Sequence, residues 1–156
     1  MHYLIQAPGQ PDAIMQGLDE MEVRAKVRKT CLVKDMKTVK VTPIWPPTTA
    51  FEPVKVQQVL DGFGWLYRFD NGYGASVVLH EYSYGHEESR YELLLGKFTG
   101  TGVDWKSPDA AFINSMDYSE PGGDGWGLYG WLDSIEVTRI LGAIRGYVPP
   151  HMINQM

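Results

Sequence analysis

The chain has one cysteine, Cys31, among 156 residues. That excludes an intramolecular disulfide and any zinc site built from several thiolates. A lone thiol fits a reducing compartment. No apolar run approaches the ~20 residues that a bilayer-crossing helix requires. The opening residues, Met1-His2-Tyr3-Leu4-Ile5, have no basic segment ahead of an apolar core, so no secretory leader is expected. These absences lead us to expect a soluble cytoplasmic protein with no membrane partner. Phosphate-cradling glycine loops of Walker or Rossmann type are missing. Ser76 and Ser83 lack the Gly-x-Ser-x-Gly elbow of a hydrolase. We therefore expect no enzymatic activity, no cofactor and no bound metal.

What is present belongs to a folded chain. Hydrophobic residues make up 44% and aromatics 12%, against a net charge of −5; disorder needs low hydrophobicity and high charge. The length predicts a single domain over residues 1–156. Charge is unevenly laid out. Seven of the fourteen basic residues lie between Arg24 and Lys40, against one acid, Asp35. Between Glu81 and Glu136 eleven acids face Arg90, Lys97 and Lys106. Such asymmetry bears on partners and association rates rather than on fold.

Apolar periodicity predicts the elements. Residues 1–10 read as a loop or short edge strand. Ile14, Met15, Leu18 and Met21 recur at helical spacing, which predicts a helix over 11–22. Val23 to Val33 alternates, with Val23, Ala25, Val27, Cys31 and Val33 on one side and Arg24, Lys26 and Arg28 on the other. With Val39–Thr42 this predicts a basic hairpin, so residues 1–53 form an N-terminal hairpin region. Four prolines between Pro43 and Pro53 mark a connection. Residues 54–148 form the core: a strand over 54–59, then an antiparallel meander. Trp65–Phe69 and Ala75–Tyr82 flank Asp70-Asn71-Gly72-Tyr73-Gly74, where Asn71, Gly72 and Gly74 suit positive φ. Ser83–Glu88 turns into the strand at Tyr91. Thr99–Gly130 reads as a long loop with helix at 108–116. A helix over 134–145 follows, with Asp133 and Glu136 at capping-box spacing and Val137, Ile140, Leu141 and Ile144 as its apolar stripe. Gly146 suits a left-handed C-terminal position. Residues 149–156 form a frayed tail. The fold class is α+β: a mostly antiparallel sheet with a C-terminal helix packed on one face.

Three pieces of the chain carry a resemblance. They are Phe69-Asp70-Asn71-Gly72-Tyr73-Gly74-Ala75-Ser76-Val77-Val78, the Tyr82-Ser83-Tyr84-Gly85 turn before Tyr91-Glu92-Leu93, and Gly130-Trp131-Leu132 ahead of the closing helix. Together they resemble a group of small uncharacterised bacteriophage and prophage proteins, over roughly Trp65–Arg145. The resemblance implies a phage-encoded accessory protein in the host cytoplasm. It carries over no catalytic residue. The region before residue 54 and the 99–130 stretch lie outside it.

Several side chains are candidates for function. Trp105, Asp117, Tyr118, Asp124 and Trp126 combine rings with negative charge and suit a protein contact, as do the outward-reading Tyr73, Tyr82 and Tyr84. Trp131 and Leu132 read instead as a staple at the helix start. The basic strand face Arg24, Lys26, Arg28, within 24–40, would suit nucleic-acid phosphates or an acidic partner. His80, Glu81, His86, Glu87 and Glu88 cluster without a recognised ligand spacing; Cys31 lacks an evident base. The expected function is protein–protein binding that modulates or inhibits a host enzyme or defence system, with a host protein as partner. Nucleic-acid binding through 24–40 and a small metal-dependent hydrolase are the alternatives. A homodimer formed through edge strands is a further expectation.

Overall fold

The computed structural model describes residues 1–30, 35–100, 102–105, 112 and 127–155. The chain divides into two compact units, Met1–Pro46 and Pro47–Met156, with the boundary inside the proline-rich stretch.

In the first unit β1 (His2–Gln6) is flanked by β2 (Ala13–Gln16) and β3 (Lys40–Ile44), both antiparallel to it. The opening residues thus form a central strand, not an edge. The predicted 11–22 helix is absent, and Leu18 and Met21 of its stripe are 90% and 80% exposed. The helix lies later: α1 spans Glu20–Thr30, where an alternating strand was expected. The sequence Val-Arg-Ala-Lys-Val-Arg satisfies both periods, because Val23 and Val27 are also four apart. Those two valines are buried against Tyr3, Ile5 and Val39, and Ala25 is exposed. Capping and charge decide for helix. Asp19 Oδ1 accepts the Glu22 amide at 2.8 Å, and Glu20–Arg24 and Glu22–Lys26 pair one turn apart at 2.8 and 2.9 Å. Cys31 lies outside the described residues.

In the second unit β4 (Lys55–Val59), β5 (Gly62–Arg68), β6 (Tyr73–Leu79) and β7 (Tyr91–Thr99) form the expected antiparallel meander. The far edge of β7 is shared. Its C-terminal half pairs with β8 (Gly102–Asp104) and its N-terminal half with β9 (Leu128–Leu132), across an irregularity between Tyr91 and Leu93. α2 (Ser134–Gly146) buries Val137, Ile140, Leu141 and Ile144, the predicted stripe, toward β6, β7 and β9. The Asp133–Glu136 capping box is formed. Opposing that stripe, Tyr67, Ala75, Val77, Leu93 and Leu95 are buried. The α+β class and the C-terminal helix on one sheet face hold. Gly146 ends α2 without a left-handed φ. The tail carries a short helix, α3 (Pro150–Ile153), where fraying was expected.

The β5–β6 hairpin explains its own sequence only in part. Gly72 has φ 87°, which glycine adopts at no steric cost; Asn71 and Gly74 do not enter that region. Asn71 is needed for its amide. Its Nδ2 donates to the carbonyls of Ile144 at 2.7 Å and Tyr147 at 2.9 Å, while its Oδ1 accepts the Tyr73 amide at 3.0 Å. The side chain thus satisfies the Tyr147 carbonyl beyond the end of α2 and adds a second donor to the Ile144 carbonyl, which already accepts the Tyr147 amide at 3.2 Å.

Candidate interaction surface

The Tyr82–Gly85 turn is rigid because its polar groups are paired internally. Buried Ser83 Oγ donates to the His80 carbonyl at 2.8 Å and accepts the His80 amide at 3.0 Å. His80 Nδ1 accepts the Tyr82 amide at 3.2 Å, and Asp61 Oδ1 accepts the Glu81 amide at 2.7 Å. Glu92 Oε2 accepts the Tyr84 amide at 2.9 Å. Gly85, with φ 96°, lets β9 approach: a Cβ there would sit 2.8 Å from Trp131 Cα. Gly130 does the same from the other side, since its Cβ would sit 2.7 Å from Tyr84 Cβ. The Ser-Tyr-Gly turn and the Gly-Trp-Leu segment, 45 residues apart by number, are therefore built against each other.

The product is a pair of exposed rings. Tyr84 and Trp131 stack at 5.4 Å between centroids and 30° between planes, yet remain 53% and 45% exposed. Trp131 holds φ 55°, a left-handed conformation that costs a side-chain-bearing residue about 1–2 kcal/mol. Its amide donates to the Tyr84 carbonyl at 3.3 Å, and its carbonyl accepts Arg90 Nη1 at 3.1 Å. The helix staple expected of Trp131 and Leu132 falls to Leu132 alone, which is fully buried. Tyr82, two residues before Tyr84 in the turn, is 75% exposed. Glu81, Glu87, Glu88, Glu92, Asp133 and Glu136 lie on these same segments, and Arg90 is their one arginine or lysine. Arg90 sits 3.5 Å from Glu88 and 3.9 Å from Glu136.

The other candidates separate. Tyr73, expected outward, is 2% exposed and packs on Phe112 and Tyr147 at 4.2 and 5.0 Å, because its strand position faces α2. Trp105 lies away from the turn, on the sheet face opposite α2, edge-on to Phe98 at 6.3 Å. Asp117, Tyr118, Asp124 and Trp126, and nearly all of the predicted 108–116 helix, lie outside the described residues. Arg24, Lys26 and Arg28 do not form the expected three-residue face: Arg24 and Arg28, four apart, lie on one side of α1, and Lys26 points about 200° from each. Arg24 is tied to Glu20 and to the Val39 carbonyl at 3.2 Å, Lys26 to Glu22 and to the Gln16 carbonyl at 2.8 Å. His80 and His86 share a cleft of about 310 Å³ with Asp61 and Glu81. Among the described residues no three His, Cys, Asp or Glu side chains group closely enough to hold a metal ion. No described helix is long and apolar enough to cross a membrane.

Two tyrosine phenols are perturbed. Burial pushes the Tyr67 hydroxyl well above its ordinary value, and the neighbouring Tyr91 and Glu52 add to the shift. Burial also raises Tyr91. Tyr67 Oη is enclosed with no hydrogen-bond partner among the described residues.

No family model matches the chain, and neither a curated protein nor a solved structure matches it.

Proposed function

We propose that the protein acts by binding another protein through the Tyr82, Tyr84 and Trp131 surface. The observation that carries this reading is Trp131. A backbone held at φ 55° keeps an indole half in water, stacked on a second exposed ring. Strain at a residue whose side chain does not complete the core points to use of that side chain. Tryptophan and tyrosine are the residues that dominate binding energy at protein interfaces. The surrounding carboxylates select a partner with a basic surface, because complementary charge speeds encounter and rejects acidic competitors. The resemblance to phage proteins supports an accessory role in an infected cell, where modulation of a host enzyme or defence protein is the use in view.

The test is affinity capture of host proteins on the immobilised wild-type chain, beside Trp131→Asn and Tyr84→Ser. Asparagine tolerates the left-handed backbone, so the fold is kept while the ring is removed. We expect a basic protein that the wild type retains, that elutes as salt rises, and that both variants lose by at least about tenfold. Equal retention by wild type and variants, with unchanged far-UV circular dichroism, refutes this surface as the interface.

A further inference from the structure

The sheet face turned away from α2 carries a second feature, independent of the ring pair. Register aligns Lys55 with Leu66, Leu66 with Ser76 and Ser76 with Leu94, so these four side chains form one cross-strand row on β4–β7. They line a groove of about 370 Å³ with Gln57 and Trp105. The floor spans three strand spacings, about 14 Å.

The wall at the β8 end is built rather than incidental. Trp105 lies so close over Gly96 that a Cβ there would sit 2.3 Å from its ring. Gly74, the cross-strand partner of Gly96, makes the same room for Phe98, whose ring would be 2.6 Å from a Cβ. Arg68 caps Phe98 at 5.2 Å. Two strand glycines thus make room over the sheet for two rings that stand edge-on to one another, with an apolar trough beside them.

Three polar residues line that trough: Lys55, Gln57 and Ser76. None of these side chains makes a hydrogen bond or ion pair among the described residues. Among the described residues no carboxylate lines the groove, in a chain whose net charge is −5. One cation with no ion-pair partner among the described residues, together with two neutral polar residues beside Leu66, Leu94 and an indole, is the donor set for one anionic group on a flat apolar body. A trough of this volume is at the small end of the range for small-molecule sites.

We propose that this groove binds a small aromatic or branched apolar carboxylate. Its carboxylate lies at Lys55, Gln57 and Ser76, and its apolar body lies along Leu66 and Leu94 toward Trp105. No chemical step is involved. The site is a binding site, distinct from the Tyr84–Trp131 surface, and it stands or falls without it.

The experiment is a titration of the full chain with naphthalene-2-carboxylate and, in parallel, with naphthalene-2-methanol, to about 1 mM. It is followed by the indole N–H resonance of Trp105 in ¹⁵N-labelled protein. The acid is expected to shift that resonance and to bind about tenfold more tightly than the alcohol, as one charge-assisted hydrogen bond implies. Lys55→Met, at an exposed position where folding is not at stake, is expected to abolish that tenfold preference. Leu66→Glu is expected to remove both ligands, with circular dichroism reporting that the sheet is intact. The proposal is overturned if the acid leaves the Trp105 resonance unmoved, or if Lys55→Met keeps the preference for acid over alcohol.

Discussion

Replacing Asn71 should destabilise the second unit through the end of a helix 73 residues away in sequence. Asn71 contributes three hydrogen bonds shorter than 3.1 Å: two donated to the Ile144 and Tyr147 carbonyls and one accepted from the Tyr73 amide. At about 1 kcal/mol net for each, Asn71→Ala is expected to cost about 3 kcal/mol. For a chain of this size that lowers the melting temperature by roughly 6–12 °C. Asn71→Asp separates the parts of this argument. The carboxylate keeps the acceptor for Tyr73 but loses both donors, and it adds negative charge at the negative end of the α2 dipole. We expect Asn71→Asp to be at least as damaging as Asn71→Ala in urea and thermal melts. Hydrogen exchange at the Tyr73 amide should stay protected in Asn71→Asp and become fast in Asn71→Ala. Wild-type stability in Asn71→Asp would refute the reasoning, because it would mean that the donated bonds contribute nothing.

Two further predictions concern groups whose environment is unusual. The Tyr67 phenol is buried with no hydrogen-bond partner among the described residues, and its pKa is raised. A raised folded-state value means its contribution is fully present below the unfolded value of about 10 and is lost as pH rises beyond it. Absorbance at 295 nm should therefore show Tyr67 ionising only together with unfolding. Tyr67→Phe should raise stability by about 1 kcal/mol and soften the alkaline loss; ionisation of every tyrosine in the folded protein near pH 10 would contradict this. Gly96→Ala should displace the Trp105 indole, since the added Cβ would lie 2.3 and 2.6 Å from its ring atoms and 2.9 Å from Val103 Cγ1. The expected cost is about 1–3 kcal/mol, with a moved Trp105 indole resonance; an unmoved resonance at wild-type stability would show that the ring does not lie there.

Where reading the chain succeeded, the signal was local. The β4–β7 meander alternates apolar and polar residues between turn-forming steps, and α2 announces itself by Asp133, Glu136 and one apolar stripe. Where it failed, two local signals competed. Val23 and Val27 fit either period, and the alternating basic residues between them favoured a strand. The same Asp-x-x-Glu spacing that marks α2 stands at Asp19 and Glu22. It was masked by Ile14, Met15, Leu18 and Met21, whose helical spacing has no helix behind it. The basic face that a strand would have made dissolved with that error. Each of Arg24 and Lys26 instead completes an ion pair one turn away on α1.

By itself, then, the sequence determined the α+β class, the order of the meander strands, the capped C-terminal helix and its buried stripe. Each of these depends on residues within a turn or a strand of one another. Tertiary structure alone decided which rings face water. Tyr73 and Tyr84 stand in similar Tyr-Gly steps, yet Phe112 and Tyr147 cover the first while Trp131 stacks on the second and leaves it half exposed. The Asn71 contact with α2 and the Lys55–Leu66–Ser76–Leu94 row are of the same kind. They join residues whose proximity is set by strand register and helix docking, and no spacing along the chain encodes either.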